Sequence, residues 1–176
     1  MPDTPLRFDH LAIPVYDAAA THRFYTEVLQ LPLVEALSGD DWGGKPWLMM
    51  FFGTGGGQLL ALCALHGAQR PPPDGLPADI RHYAFSVASG AEQADWKARL
   101  RRHGIAFSEE DHGTQHSIYF TDPNGIALEA SWWVVDGTGR PTDYTDTALF
   151  GDPDPVPAVA ELRSGGLDDL PCTRLT

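Results

Sequence analysis

His10-Leu11-Ala12-Ile13-Pro14-Val15 and His82-Tyr83-Ala84-Phe85-Ser86-Val87 read alike: histidine, apolar, alanine, apolar, small, valine. Alternation with period two marks each stretch as a β-strand. One face of each strand carries the large apolar side chains and belongs to the core. The other face begins with a histidine and continues with Ala12 and Pro14, or with Ala84 and Ser86. Those small residues leave room beside the imidazole. A chain that says the same thing twice is read first as a tandem repeat.

The sequence after each strand repeats as well. In the first copy Asp17 is suited to cap a helix whose apolar stripe is Phe24, Val28 and Leu29, and Pro32 bars its continuation. In the second, Ser89 and Glu92 have the spacing of a capping box. Trp96 and Leu100 give the buried stripe, and Gly104 stands where a left-handed C-cap belongs. Three short strands then follow each helix: roughly 33–37, 47–52 and 58–62 in copy one, and 106–109, 117–121 and 126–131 in copy two. Asp122-Pro123-Asn124-Gly125 reads as the last hairpin turn. The expected fold is α+β: two tandem β-α-β-β-β modules forming a curved mixed sheet that encloses a cleft.

These boundaries give a single domain over residues 1–135, with module one at 7–63, a Pro-rich linker at 66–78 and module two at 79–131. Residues 136–176, rich in Pro, Asp, Gly and Thr, read as a tail, with one short helix expected near Ala158–Leu162. The formal net charge of -12 argues against nucleic acid and anionic membranes as partners, since both need a basic surface. Cys63 and Cys172 are too few and too far apart for a disulfide framework. With no signal-peptide pattern and no apolar run long enough for a bilayer, a cytoplasmic location is the expectation.

The repeat also aligns possible metal donors. The two histidines are offset by 72 (82 − 10), which matches Glu129 to position 57, one residue from Gln58. Each half then offers a histidine on its first strand and an oxygen donor on its last. His10, His82 and Glu129, with Gln58 as a fourth, would bind one divalent ion: Fe(II), Mn(II), Ni(II), Co(II) or Zn(II). Tyr119 shares its parity with Thr121, Ala127 and Glu129 across the hairpin, so its hydroxyl would reach a ligand held there. His112 and His116, on a loop before that strand, are further acid–base candidates. A reading from another class is a metal-free protein that sequesters a planar or cationic ligand between Trp42, Trp47, Trp132 and Trp133.

Three segments carry a resemblance to a known family. They are Phe8 to Val15, the helix end Phe24-Tyr25-Thr26-Glu27-Val28-Leu29, and Ser117 to Gly125 running into Leu128-Glu129. Together they resemble the vicinal oxygen chelate superfamily of glyoxalase I, extradiol dioxygenases, methylmalonyl-CoA epimerases, fosfomycin-resistance transferases and bleomycin-resistance proteins. The resemblance implies paired modules with a metal in the cleft, and a small substrate chelated through two vicinal oxygens by dioxygenase or lyase/isomerase chemistry. It implies that His10, His82 and Glu129 are the three shared ligands, that Gln58 falls where glyoxalase-type members carry Glu, and that Tyr119 falls where extradiol enzymes carry a substrate-contacting Tyr. Dimers are frequent in the superfamily, so a homodimer is expected. The chain departs from the extradiol pattern at Glu110, where those enzymes have a histidine, and from glyoxalase I at Gln58.

Overall fold

Module one, in the computed structural model of the chain, starts with strand β1 (His10–Val15) and helix α1 (Ala18–Arg23). It continues through β2 (Leu33–Gly39), β3 (Trp47–Gly53) and β4 (Leu59–Leu65). Module two repeats the order with β5 (His82–Ser86), α2 (Gly90–Arg102), β6 (Phe107–Asp111), β7 (Gln115–Thr121) and β8 (Ala127–Trp133). The structure describes residues 7–112 and 115–134. The expected tail, its helix near Ala158–Leu162 and Cys172 lie outside them. The described residues divide into two units, Arg7–Glu110 with Ser117–Trp132, and a small one of Asp111, His112, Gln115, His116, Trp133 and Val134.

Two four-stranded sheets result, ordered β1-β4-β3-β2 and β5-β8-β7-β6. In each, the first strand lies parallel to the last, β1 on β4 and β5 on β8. In module one β3 runs antiparallel to both β2 and β4. The fold is therefore the α+β tandem arrangement that the repeat implies.

Alternation sorts the side chains. Ile13 and Val15 of β1, Met50 and Phe52 of β3, Leu60 and Leu62 of β4, and Leu128 and Ala130 of β8 all enter the buried core. Helix α1 starts where Asp17 accepts a hydrogen bond from Ala20 N at 2.8 Å. It does not run on as α-helix toward Pro32. A π-turn over Phe24–Val28, closed by Leu29 N donating to Phe24 O at 3.0 Å, takes its place. The wider turn brings Phe24, Tyr25, Val28 and Leu29 all inside, which a regular 3.6-residue repeat would spread over more of the helix surface. Helix α2 starts as the capping-box spacing predicts, with Glu92 N donating to Ser89 Oγ at 3.2 Å, though the Glu92 carboxylate accepts from Ala88 N, one residue before the cap, at 2.7 Å. Gly104 follows it at φ +68°, the left-handed position.

The Asp122–Gly125 turn does more than reverse the chain. Asn124 Oδ1 accepts from Tyr16 N at 2.8 Å and Asp17 N at 3.3 Å, while its amide donates to Thr21 Oγ1 at 2.8 Å. Asn124 is buried, so module two's last hairpin is fastened to the β1–α1 corner of module one. Among the described residues no helix is long and apolar enough to cross a membrane.

Candidate functional site

The register of β5 on β8 builds the site. His82 pairs with Ala127 and Ala84 with Glu129, so His82 and Glu129 sit on one sheet face, two residues out of register. That offset brings His82 Nε2 to 2.7 Å from Glu129 Oε2. The other imidazole nitrogen, Nδ1, lies 2.8 Å from the carbonyl oxygen of Asp79, in the short 3-10 turn Ala78–Ile80 before β5. A carbonyl oxygen only accepts, so Nδ1 carries hydrogen. Nε2 is thereby left to share a proton with Glu129 or to direct its lone pair at a cation held jointly with that carboxylate. Fixing one imidazole nitrogen on a carbonyl so that the other faces outward is how proteins prepare a histidine for a metal.

Glu129 is held from its other side. Its Oε1 accepts from Ser117 Oγ of β7 at 2.5 Å and from Ser131 Oγ of β8 at 2.6 Å. The residue is 3% exposed. Burial alone would raise its pKa, but the two hydroxyl donors and His82 outweigh that and hold the carboxyl below its ordinary range. It is thus an ionised, oriented oxygen donor. Tyr119 lies on the same face, its ring edge-on to His82 at 5.5 Å between centroids, as strand parity requires. Burial, then the nearby charges of Glu129 and Glu110, push its phenol up. A Tyr119 that keeps its proton near neutrality is a hydrogen-bond donor.

The remaining expected residues are placed differently. His10 is exposed on β1, with Nδ1 2.6 Å from Asp9 Oδ1 and its ring edge-on to Phe51 at 6.0 Å. Among the described residues no three His, Cys, Asp or Glu side chains come together closely enough to hold one ion. Of the expected donors, His82 and Glu129 are the two brought within contact of one another. His112 and His116 belong to the smaller unit, where His116 Nδ1 lies 3.5 Å from Asp111 Oδ1 and His112 N donates to Gln115 O at 2.9 Å.

Gln58 does not occupy the position equivalent to Glu129. β1 pairs with β4 as His10–Leu59 and Ala12–Ala61, so the counterpart of Glu129 is Ala61. The last strands are offset by 68 (127 − 59) rather than 72, because module one is four residues longer between its first and last strands. Gln58 falls in the β3–β4 turn, where its carbonyl accepts from Thr54 N at 3.1 Å. A single repeat offset could not reveal this, since it assumes equal loops. The expected Trp wall is also not continuous. Trp42 and Trp47 meet edge-on at 5.6 Å in module one, but Trp132 packs against Gly90 of α2, on the opposite face of β8 from Glu129. Sequence reading passed over Ser117 and Ser131. Their only signal is that both share Glu129's parity.

Beside His82 a groove of about 630 Å³ opens along the free edge of β5 and is closed on its far side by residues of β1, β4 and the β3–β4 turn. A smaller pocket of about 340 Å³, with Asp79 and Glu110 in its lining, lies on the Tyr119 side.

Comparison with known proteins agrees with this architecture. The sequence profile of the Glyoxalase/Bleomycin resistance protein/Dioxygenase superfamily matches residues 7–130. No curated protein matches the chain. Among solved structures, the chain is similar to a glyoxylase/bleomycin resistance protein/dioxygenase domain from Frankia sp. EAN1pec, with TM-score 0.61 and 23% identity over 76% of this chain and 96% of that one. It is similar to the trypanothione-dependent glyoxalase I of Leishmania major, with TM-score 0.55 and 25% identity over 72% and 86%. It is also similar to a lactoylglutathione lyase from Agrobacterium tumefaciens, with TM-score 0.54 and 23% identity over 73% and 94%. Tandem modules in the expected strand order and a profile spanning both of them lead to one conclusion: the chain belongs to the glyoxalase/bleomycin resistance protein/dioxygenase superfamily, the vicinal oxygen chelate group.

Proposed function

We propose that the chain is a metal-dependent enzyme that takes a small substrate through two neighbouring oxygens, by dioxygenase or lyase/isomerase chemistry. The observation that carries this reading is the His82–Glu129 pair, an imidazole with Nδ1 on a carbonyl and Nε2 2.7 Å from a buried carboxylate. A neutral nitrogen donor and an anionic oxygen donor aimed at one another suit a divalent cation of the Fe(II), Mn(II), Co(II), Ni(II) or Zn(II) type. His82 and Glu129 would hold it, with His10 as the third ligand.

When bound, such an ion supplies Lewis acidity to the two substrate oxygens. The chain's own residues do the rest. Ser117 and Ser131 fix the carboxylate of Glu129, and the Asp79 carbonyl fixes the tautomer of His82. Tyr119, holding its proton, donates a hydrogen bond to a substrate oxygen lying beside His82. Ala61, at the position equivalent to Glu129, offers no fourth donor, which leaves three protein ligands and favours a site open to a bidentate substrate.

The test is metal content after reconstitution at neutral pH. About one equivalent in the parent and none in Glu129→Ala is the expected result, with Gln58→Ala retaining the metal. Because His10 is not gathered with the pair in a single chain, mixing His10→Ala with Glu129→Ala protein tells where the third ligand comes from. Recovered metal in the mixture means that a homodimer shares its sites, and none means that each chain closes its own. No metal in the parent would instead favour a metal-free ligand-binding protein.

A further inference from the structure

The groove along β5 has a chemistry that the metal reading leaves unused. Phe8, Leu11 and Leu60 contribute from module one, and Tyr83 and Phe85 from module two. Thr54, Gln58 and Ser86 add neutral polar atoms to its lining. Although 20% of the chain is Asp, Glu, Lys or Arg, none of these is among the described residues that line it.

Its position matters as much as its lining. Every residue of β5 from His82 to Ser86 lines it, so it runs roughly 13 Å along that strand at about 3.3 Å per residue. One end is the imidazole that faces Glu129. Phe8, 62% exposed, is an aromatic ring left against water among the residues that line this groove. In the β3–β4 turn, Gly56 has φ +61°, and a Cβ there would lie 2.7 Å from Gln58 Oε1. The glycine lets the Gln58 amide fold against the turn. The volume is that of an ordinary small-molecule site, roughly 300–1,000 Å³.

We infer that this groove is a binding subsite for an uncharged apolar body, aryl or alkyl, carried by the molecule whose two oxygens sit at His82–Glu129. The inference rests on the proposed function for the placing of those oxygens, while the groove itself stands on its lining. An anionic tail is disfavoured in it, because the described lining holds no Lys or Arg to receive the charge, its one imidazole already faces Glu129, and the chain is itself strongly acidic. Gln58 accordingly changes from a metal ligand to a polar residue of the groove.

Three catechols separate the contributions when titrated calorimetrically into the metal-loaded protein. Catechol gives the baseline, 4-butylcatechol adds an apolar body, and 3-(3,4-dihydroxyphenyl)propanoate adds an anionic one. The butyl compound should bind at least about tenfold tighter than catechol, and the propanoate no tighter than catechol. Ser86→Asp, at an exposed position, should erase the butyl gain, and Thr54→Asp on the facing wall should do the same if the first variant folds poorly. A fourth probe, 4-butylanisole, has the body without vicinal oxygens. It should perturb the Ala84 and Ser86 amide resonances with or without metal. Should no catechol bind while 4-butylanisole still moves those resonances, the groove stands and the chelation reading falls. Equal affinities for the three catechols, or a preference for the propanoate, would overturn the groove.

Discussion

Glu129 shows how far two hydroxyl groups can set the state of a buried carboxylate. It is buried yet ionises more readily than an ordinary glutamate, since Ser117 and Ser131 both donate to Oε1 and His82 faces Oε2. A carboxyl whose pKa falls on folding stabilises the fold fully above its unfolded value, and that stabilisation is lost as pH drops through the lower folded value. Ser117→Ala should therefore cost about 1.5–3 kcal/mol near neutrality, the range for a hydrogen bond to a charged group. In acid below both values the cost should shrink toward zero. Urea unfolding of metal-free protein across a pH series checks this, and a cost independent of pH would mean that Ser117 acts through packing alone. The same substitution should weaken metal binding by about 10- to 100-fold, as loss of an outer hydrogen bond to a ligand does. Direct metal titration reads that effect.

The Asp122–Gly125 turn reaches beyond its own module. Its sequence announces a hairpin, and it is one: Gly125 N donates to Asp122 O at 3.0 Å. What the residues could not announce is the second task of Asn124, whose amide joins β8's hairpin to Tyr16, Asp17 and Thr21. Asx side chains bond locally in most turns, and only the tertiary fold says when one reaches another module. Asn124→Ala leaves two part-buried backbone N–H groups and a buried threonine hydroxyl without this partner. It should destabilise the protein by about 2–4 kcal/mol, read as a lower urea midpoint. Thr21→Val removes only the last of these bonds and should cost less. The helices were legible at their ends, where Asp17 and Ser89 cap as expected, because capping is chemistry between near neighbours. The π-turn at Phe24–Val28 was not legible, since it follows from what the core needs rather than from local preference.

For the whole molecule, the repeat predicted two like sheets and yielded two unlike faces. The strands themselves and the face of β5 that carries His82 follow from period-two alternation, whereas the strand order and the parallel pairing of first and last strands are set by the tertiary fold. The fourth donor did not follow, because loops are free to differ in length and module one is longer. Where β8 has Glu129 and Ser131, β4 has Ala61 and Cys63. Burial pushes the Cys63 thiol up, which keeps it protonated and unreactive. Across β3 the same face continues with Phe51 opposite Ala61 and Met49 opposite Cys63. Module one thus has the histidine of the motif but lacks on β4 the carboxylate and hydroxyl found on β8. Restoring the carboxylate alone should not restore a site. Ala61→Glu would place an acid at 0% exposure beside Phe51 and Cys63, with no counterpart of Ser131 to hydrogen-bond it. A destabilisation of about 2–4 kcal/mol is expected, without a second equivalent of metal. Urea unfolding and metal content of the variant decide it together: a stable Ala61→Glu protein binding two ions would show that the asymmetry between the modules lies elsewhere than in these strands.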